Sequence, residues 1–218
     1  MKRDKALELL AENIKNQNLQ KHCLAVEAGM RGLAEYFGEN KEKWGICGLL
    51  HDIDYEKTKD NPNLHSKMGA EMLKELGFEK EICQAVLTHN EAHKILPESK
   101  MAKAIFCLDP LTGLIVAATL VLPSKTELPF MEATRRDKSL LHPSLRLGQV
   151  KKRTKSSSPK ISDLKVENVL HRFKEKSFAR GANREIIKKC NELLGLSLEE
   201  FVKIVLEAMQ KISNELGL

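Results

Sequence analysis

Apolar residues recur at helical spacing along most of the chain, and strand-like alternation is scarce. The first stripe, Ala6, Leu7, Leu9, Leu10 and Ile14, predicts a helix over residues 4–16. Asn16 to Asn18 break the pattern. Asn18 is placed to cap a long helix over 19–37, whose inner face carries His22, Val26, Gly29, Met30 and Leu33. Gly38-Glu39-Asn40 stops it, and residues 41–50 form the next helix. Residues 54–63 are polar, contain Pro62 and predict a loop. A helix opening at His65 runs through Met68, Ala70, Met72, Leu73 and Leu76 to Gly77, a glycine suited to the residue after a helix end. Ile82, Ala85, Val86 and His89 share one face of another helix. Residues 100–122 predict a strongly apolar helix with Ala104, Ile105, Leu108, Asp109, Leu111 and Leu114 inward. Pro110 lacks a backbone donor and should kink or restart it.

No period holds over residues 126–160, which contain Pro129, Pro143, Pro159 and Ser156-Ser157-Ser158. Order returns at Val166 to Phe173, and two helices close the chain. The last opens on a capping box, Ser197-Leu198-Glu199-Glu200, with Phe201, Val205, Ala208, Met209 and Ile212 as its stripe. The pattern predicts an all-α fold. Residues 1–125 would be its core, 126–160 a basic, flexible insertion and 161–218 additional C-terminal helices packing on the core.

Composition narrows this little further. With 218 residues, 42% apolar and 30% charged, the chain can bury a substantial core. The longest apolar run, 114–122, is short for a bilayer, and Met1-Lys2-Arg3-Asp4-Lys5 leads into an amphipathic helix, so a cytoplasmic protein without membrane contact is expected. Cys23, Cys47, Cys83, Cys107 and Cys190 are odd in number, widely spaced and free of CxxC, which predicts buried thiols and no disulfide framework. The net charge of +6 lies within 126–160, and the remainder is neutral. The basic pI is therefore poor evidence for nucleic-acid binding by the whole chain.

Candidate chemistry gathers at Gly48-Leu49-Leu50-His51-Asp52-Ile53-Asp54, where an apolar run ends in a histidine and an aspartate. Both are costly to bury unless paired, and a metal ion would pair them. The blander reading is a surface helix end with a capping aspartate. A lone histidine such as His22 is ordinarily a satisfied core residue until a second site requires it. His22, His51, Asp52, His65, His89 and Asp109 all lie at helix ends or on apolar helical faces. One ion would take His22, His51, Asp52 and Asp109. A second would take His65 and His89, with Asp52 bridging.

With those residues in that order, the chain resembles the HD-domain superfamily over roughly residues 18–122. Leu50-His51-Asp52-Ile53 looks like its name-giving motif. His65 with Gly69-Ala70-Glu71-Met72-Leu73 resembles the second-metal histidine of binuclear members, and Thr88-His89-Asn90-Glu91 and Asp109 stand where later ligands fall. Ser177-Phe178-Ala179-Arg180-Gly181 is similar to a subgroup of HD hydrolases. The resemblance implies an all-helical phosphohydrolase using one or two divalent ions (Mn, Fe, Co, Ni or Zn) to hydrolyse a small phosphoester, plausibly a nucleotide. The alternatives behind it are a di-iron oxygenase with the same six ligands and a non-catalytic module held together by metal.

The family's Gly-Lys after His-Asp-Ile is replaced by Asp54-Tyr55, so a phosphate-facing lysine would have to be Lys57 or Lys59. Asp52 would bridge the ions or fix the nucleophile. Asp54 would be a general acid or base, or would simply solvate the loop. Arg172, Lys174, Lys176, Arg180 and Arg184 would form a phosphate-binding rim, or only a wet face. His89 and His93 stand at i, i+4, but the glutamate between them is displaced from the HExxH order of a metalloprotease. His93 reads as a solvated helix-end residue.

Overall fold

The computed structural model describes residues 1–122 and 160–218, and every helix or strand assigned among them is helical. The first part holds α1 (Arg3–Asn13), α2 (Gln17–Phe37), α3 (Lys41–Leu50), α4 (Tyr55–Thr58), α5 (Lys67–Glu75), α6 (Lys80–His89) and α7 (Lys100–Leu120). The second holds α8 (Val166–Lys174), α9 (Arg184–Lys188), α10 (Cys190–Leu194), α11 (Leu198–Lys211) and α12 (Ser213–Leu216). The fold is all-α, as the pattern predicts. The expected basic insertion, 126–160, lies outside the described residues except at Lys160.

The centre of the bundle is α7. Ala104, Ile105, Leu108, Leu111 and Leu114 are each 0% exposed, and the helix packs on α2, α6, α8, α9, α10 and α11. Support on so many sides explains a difference from expectation: α7 runs unbroken through Pro110. Proline costs the Phe106 carbonyl its helical partner, but packing keeps the two halves in one helix. By length and composition α7 could also cross a bilayer; here 67% of its most apolar stretch is buried.

α3 lies against α2 at Gly48, where a Cβ would come 2.9 Å from the Val26 carbonyl and 3.0 Å from Glu27 Cα. Nearby, Glu27 is buried and accepts from Arg3 Nε at 2.7 Å and Arg31 Nε at 2.9 Å, tying α1 to α2. On the other face of α2, the Tyr36 hydroxyl donates to Glu200 of α11 at 3.0 Å.

Three helix ends differ from expectation. Asn16, not Asn18, caps α2, accepting from the N–H of Asn18 and Leu19. The polar stretch 54–63 includes the single turn α4. The helix expected from His65 starts at Lys67, because buried Ser66 sits at φ 68° and interrupts the backbone.

Candidate metal centre

The centre forms where α2, α3, α6 and α7 meet the 51–66 segment. His22 comes from α2, His51 and Asp52 from the end of α3, His89 from the last residue of α6 and Asp109 from α7. His65 stands just ahead of α5. All six residues expected from the sequence converge.

Asp52 is the hub. Its Oδ1 lies 3.5 Å from His51 Nε2, 3.3 Å from His65 Nε2 and 3.4 Å from His89 Nε2. Its Oδ2 faces His22 Nε2 at 3.7 Å. Asp109 Oδ1 sits 2.9 Å from His22 Nε2 and 3.8 Å from His51 Nε2. The rings of His22 and His51, His51 and His89, and His65 and His89 meet edge-on at 5.2, 5.0 and 5.1 Å.

What aims the four imidazoles is the far nitrogen of each. His51 Nδ1 donates to the Gly48 carbonyl at 2.8 Å and His89 Nδ1 to the Val86 carbonyl at 2.6 Å. His65 Nδ1 is 3.1 Å from Asp54 Oδ1. His22 Nδ1 is 3.4 Å from the Thr112 hydroxyl, which itself donates to the Asp109 carbonyl. A carbonyl can only accept, so Nδ1 carries the hydrogen in His51 and His89, and the Nε2 lone pair of the neutral ring faces the centre. Metal-binding histidines are fixed in the same way.

His51 Nε2 tests the fit of an ion. It is fully buried yet has no hydrogen-bond partner among the described residues. A buried polar atom without a partner costs free energy unless something meets it. A divalent ion would do so, and two three-residue sets have their ligand atoms close enough to share one: His22, His51 and Asp109, and His51, Asp52 and His89. Nitrogen and carboxylate donors in this mix suit Mn, Fe, Co, Ni or Zn.

The charges reinforce one another. Burial opposes protonation of His51, but Asp52 and Asp109 outweigh it and push its pKa up to about 9. Burial opposes it at His65 too, and Asp52 with Asp54 push that pKa up to about 10. Asp52, despite burial, is held well below the usual carboxylate range by His51, His65, His89 and His22. Asp109 is lowered in the same way by His22 and His51.

Other expected site residues fall elsewhere. Asp54 does not face a substrate: it is 0% exposed, its Oδ2 accepts from the N–H of Ser66 at 2.8 Å and Gly69 at 3.0 Å, and its Oδ1 holds His65. The carboxylate expected as acid or base is thus engaged by two backbone N–H groups and by His65. A Cβ on Gly69 would lie 3.1 Å from Asp54 Oδ1, which explains the glycine there. Lys57 Nζ, expected near the reacting centre, instead donates to Asn13 Oδ1 at 2.8 Å, at the end of α1. Glu56 accepts from the N–H of Lys15 and Asn16 and braces the α1–α2 turn. Lys59 does line a cleft of about 630 Å³ with His22, Tyr55 and Asn18.

Arg184 is consumed by the fold. Its five N–H groups donate to the carbonyls of Phe173, Glu175, Phe178, Ala179 and Ala182, leaving none for a phosphate. Arg180 is exposed beside it. A second cleft, of about 310 Å³, is lined by His22, Asp109, Pro110 and Gly113 on one side and Ala179, Gly181 and Ala182 on the other. The segment containing Arg180 thus flanks the centre.

His93, expected to be solvated, is half-buried and donates from Nε2 to the His65 carbonyl at 2.7 Å; Asn90 Nδ2 reaches the same carbonyl at 3.3 Å. Neither role has a sequence signal beyond the i, i+4 spacing of His89 and His93.

Comparison with known proteins agrees with this geometry. The family model described as HD domain matches residues 19–113. The chain carries an HD domain. The mark of that domain is membership of a superfamily of metal-dependent phosphohydrolases, and HD domains bind divalent metals. The chain is 30% identical over 98 residues to a Ribonuclease Y of Oleidesulfovibrio alaskensis, covering 45% of this chain and 18% of that protein. It is 35% identical over 89 residues to the Ribonuclease Y of Fervidobacterium nodosum, covering 40% of this chain and 17% of the relative. An uncharacterized protein of Methanocaldococcus jannaschii is 34% identical over 94 residues, covering 41% of this chain and 54% of that one. The chain thus spans under a fifth of these Ribonuclease Y relatives and about half of the archaeal protein. No solved structure matches.

Proposed function

We propose that the HD domain of this chain hydrolyses a small phosphoester, with a nucleotide as the substrate class, using one or two divalent transition-metal ions held by His22, His51, Asp52, His65, His89 and Asp109. The observation that carries this reading is His51 Nε2: buried, unpartnered and aimed by the Gly48 carbonyl at the space between Asp52 and Asp109. Bound ions supply Lewis acidity, acidifying a water and offsetting charge on phosphoryl oxygens. The chain's own residues supply the rest. Asp52 faces all four histidines and fixes the attacking water in place. Asp54 and His93 hold His65 in register. His22, half-exposed between the two clefts, opens the centre to substrate, and Lys59 lies where it can meet a phosphate oxygen.

The Ribonuclease Y relatives bring RNA phosphodiesters into the set of substrates to try. The test is phosphate or nucleotide release from a phosphoester panel with Mn, Co or Ni, comparing wild type with His51→Ala and Asp52→Ala. Loss of turnover in both, with helical circular dichroism retained, is the expected result. Unchanged turnover in both overturns the reading. Turnover that depends on iron and consumes oxygen instead of releasing phosphate would assign the same ligands to an oxygenase.

A further inference from the structure

The cations between Arg172 and Lys189 fall into two groups. Arg184 gives every donor to carbonyls. Arg172 is held by both oxygens of Glu175 and lies over the Phe178 ring. Lys188 pairs with Glu185 at 3.0 Å, and Lys189 sits over the Phe106 ring. These residues build the fold.

Lys174, Lys176 and Arg180 are different. All three are exposed, and none makes an ion pair or a side-chain hydrogen bond among the described residues. They share a cleft of about 650 Å³, whose lining includes Gly181 and Ala182. The same two residues line the smaller cleft that reaches His22 and Asp109. The basic cleft and the metal centre are therefore neighbours across one short piece of backbone.

That backbone is held rigidly. Arg184 gathers five carbonyls between Phe173 and Ala182, and Asn183 Nδ2 donates to both oxygens of Glu91, 2.9 and 3.1 Å away, which ties the segment to the turn after α6. Unpaired cations on a fixed scaffold beside a reacting centre are set to bind a distant anionic group of the same molecule without reorganising. Residue Glu91 lies in the cleft wall but is occupied by Asn183, and Glu185 by Lys188, so the cleft's acidic groups are already paired.

We propose that Lys174, Lys176 and Arg180 form a subsite for a second phosphoryl group, so that the substrate carries at least two phosphates, one at the metals and one in this cleft. The identification rests on the phosphohydrolase reading above. A second phosphate could belong to a nucleoside polyphosphate or to the next residue of a short nucleotide strand, and both present the same chemistry to the cleft.

The test uses the protein as purified, with excess Mn²⁺, and three probes: p-nitrophenyl phosphate, a nucleoside triphosphate and a 5′-phosphorylated dinucleotide. The ratio of KM for the single-phosphate probe to KM for each larger probe is measured in wild type and in Lys174→Gln/Lys176→Gln/Arg180→Gln. The expected ratio is tenfold or more for at least one larger probe, falling toward one in the variant and, in wild type, at high salt. Which probe gains identifies the source of the second phosphate. A ratio near one for both larger probes, or one unaffected by the substitutions, overturns the subsite. Equilibrium binding of the larger probes to both proteins keeps the tests separate. If no probe is turned over yet the variant binds them at least tenfold more weakly, the hydrolase reading fails and the anion subsite stands. If binding is also unchanged, both fail.

Discussion

Asp54 and His65 set the chemistry at the scale of single residues. The Asp54 carboxylate accepts two backbone N–H groups and still faces His65 Nδ1, so Asp54→Asn should keep the fold while loosening the ring. Removing such an orienting partner weakens metal affinity or activity about 10–100-fold, and titration calorimetry with Mn²⁺ would register it; affinity within twofold of wild type would deny Asp54 this role. The pH dependence follows from the same neighbours. With no ion bound, His51 holds its proton to about 9 and His65 to about 10. Metal must displace those protons, so affinity should rise with pH until both are passed, with proton release at neutral pH. For the metal-free fold the sign is opposite. Both folded pKa values lie above the ordinary histidine value of about 6.5, so their stabilisation is complete below that pH and disappears as pH climbs through 9 to 10. Calorimetric proton counting in two buffers and a metal-free melting series would check the two signs. From the sequence, His22, His51, Asp52, His65, His89 and Asp109 were legible because ligand types in that order are unusual on apolar faces. The roles of Asp54 and Arg184 were not, since both are decided by backbone groups, 12 and 15 positions from Asp54 and spread over 2 to 11 positions before Arg184, that leave no mark in the side-chain pattern.

At the scale of elements, α3 can aim His51 only because it lies close on α2. Gly48 makes that approach possible, and its own carbonyl fixes the His51 ring. Gly48→Ala should cost about 1–3 kcal/mol, the usual range for overpacking, and should lower metal content with it. Thermal melts and metal analysis of the variant would measure both effects, and a wild-type melting temperature would remove the argument. Periodicity located α2, α3, α6 and α7 well, because each presents a sustained apolar stripe. It misjudged the start of α5, where the non-local bond from Ser66 N–H to Asp54 and the left-handed φ at Ser66 override the local pattern. It also missed the single turns α4 and α12, which are too brief to show a period, and counted one helix before the last where the structure has the two short ones α9 and α10. Pro110 misled in the other direction, since tertiary packing carries α7 past it.

At the scale of the whole molecule, the HD match ends at residue 113, but the bundle does not. α7 is covered by α8, α9, α10 and α11, and α2 by α11 and α12. A chain ending at residue 122 should therefore expose the apolar back of α2 and α7 and lose cooperative melting. A sharp transition in that fragment would show the C-terminal helices to be dispensable. Ion binding should also stabilise the complete chain. With free metal at a hundred times its dissociation constant the linkage is about 2.7 kcal/mol, or roughly 5–10 °C in melting temperature, and a chelator should remove it. The most direct measurement of the central claim is an anomalous-scattering map from crystals of the metal-saturated protein. The expected result is at least one peak bounded by His51 Nε2 and the Asp52 carboxylate, with His22 and Asp109 or His89 completing its shell. Saturating metal whose peaks all lie away from those side chains would contradict the account.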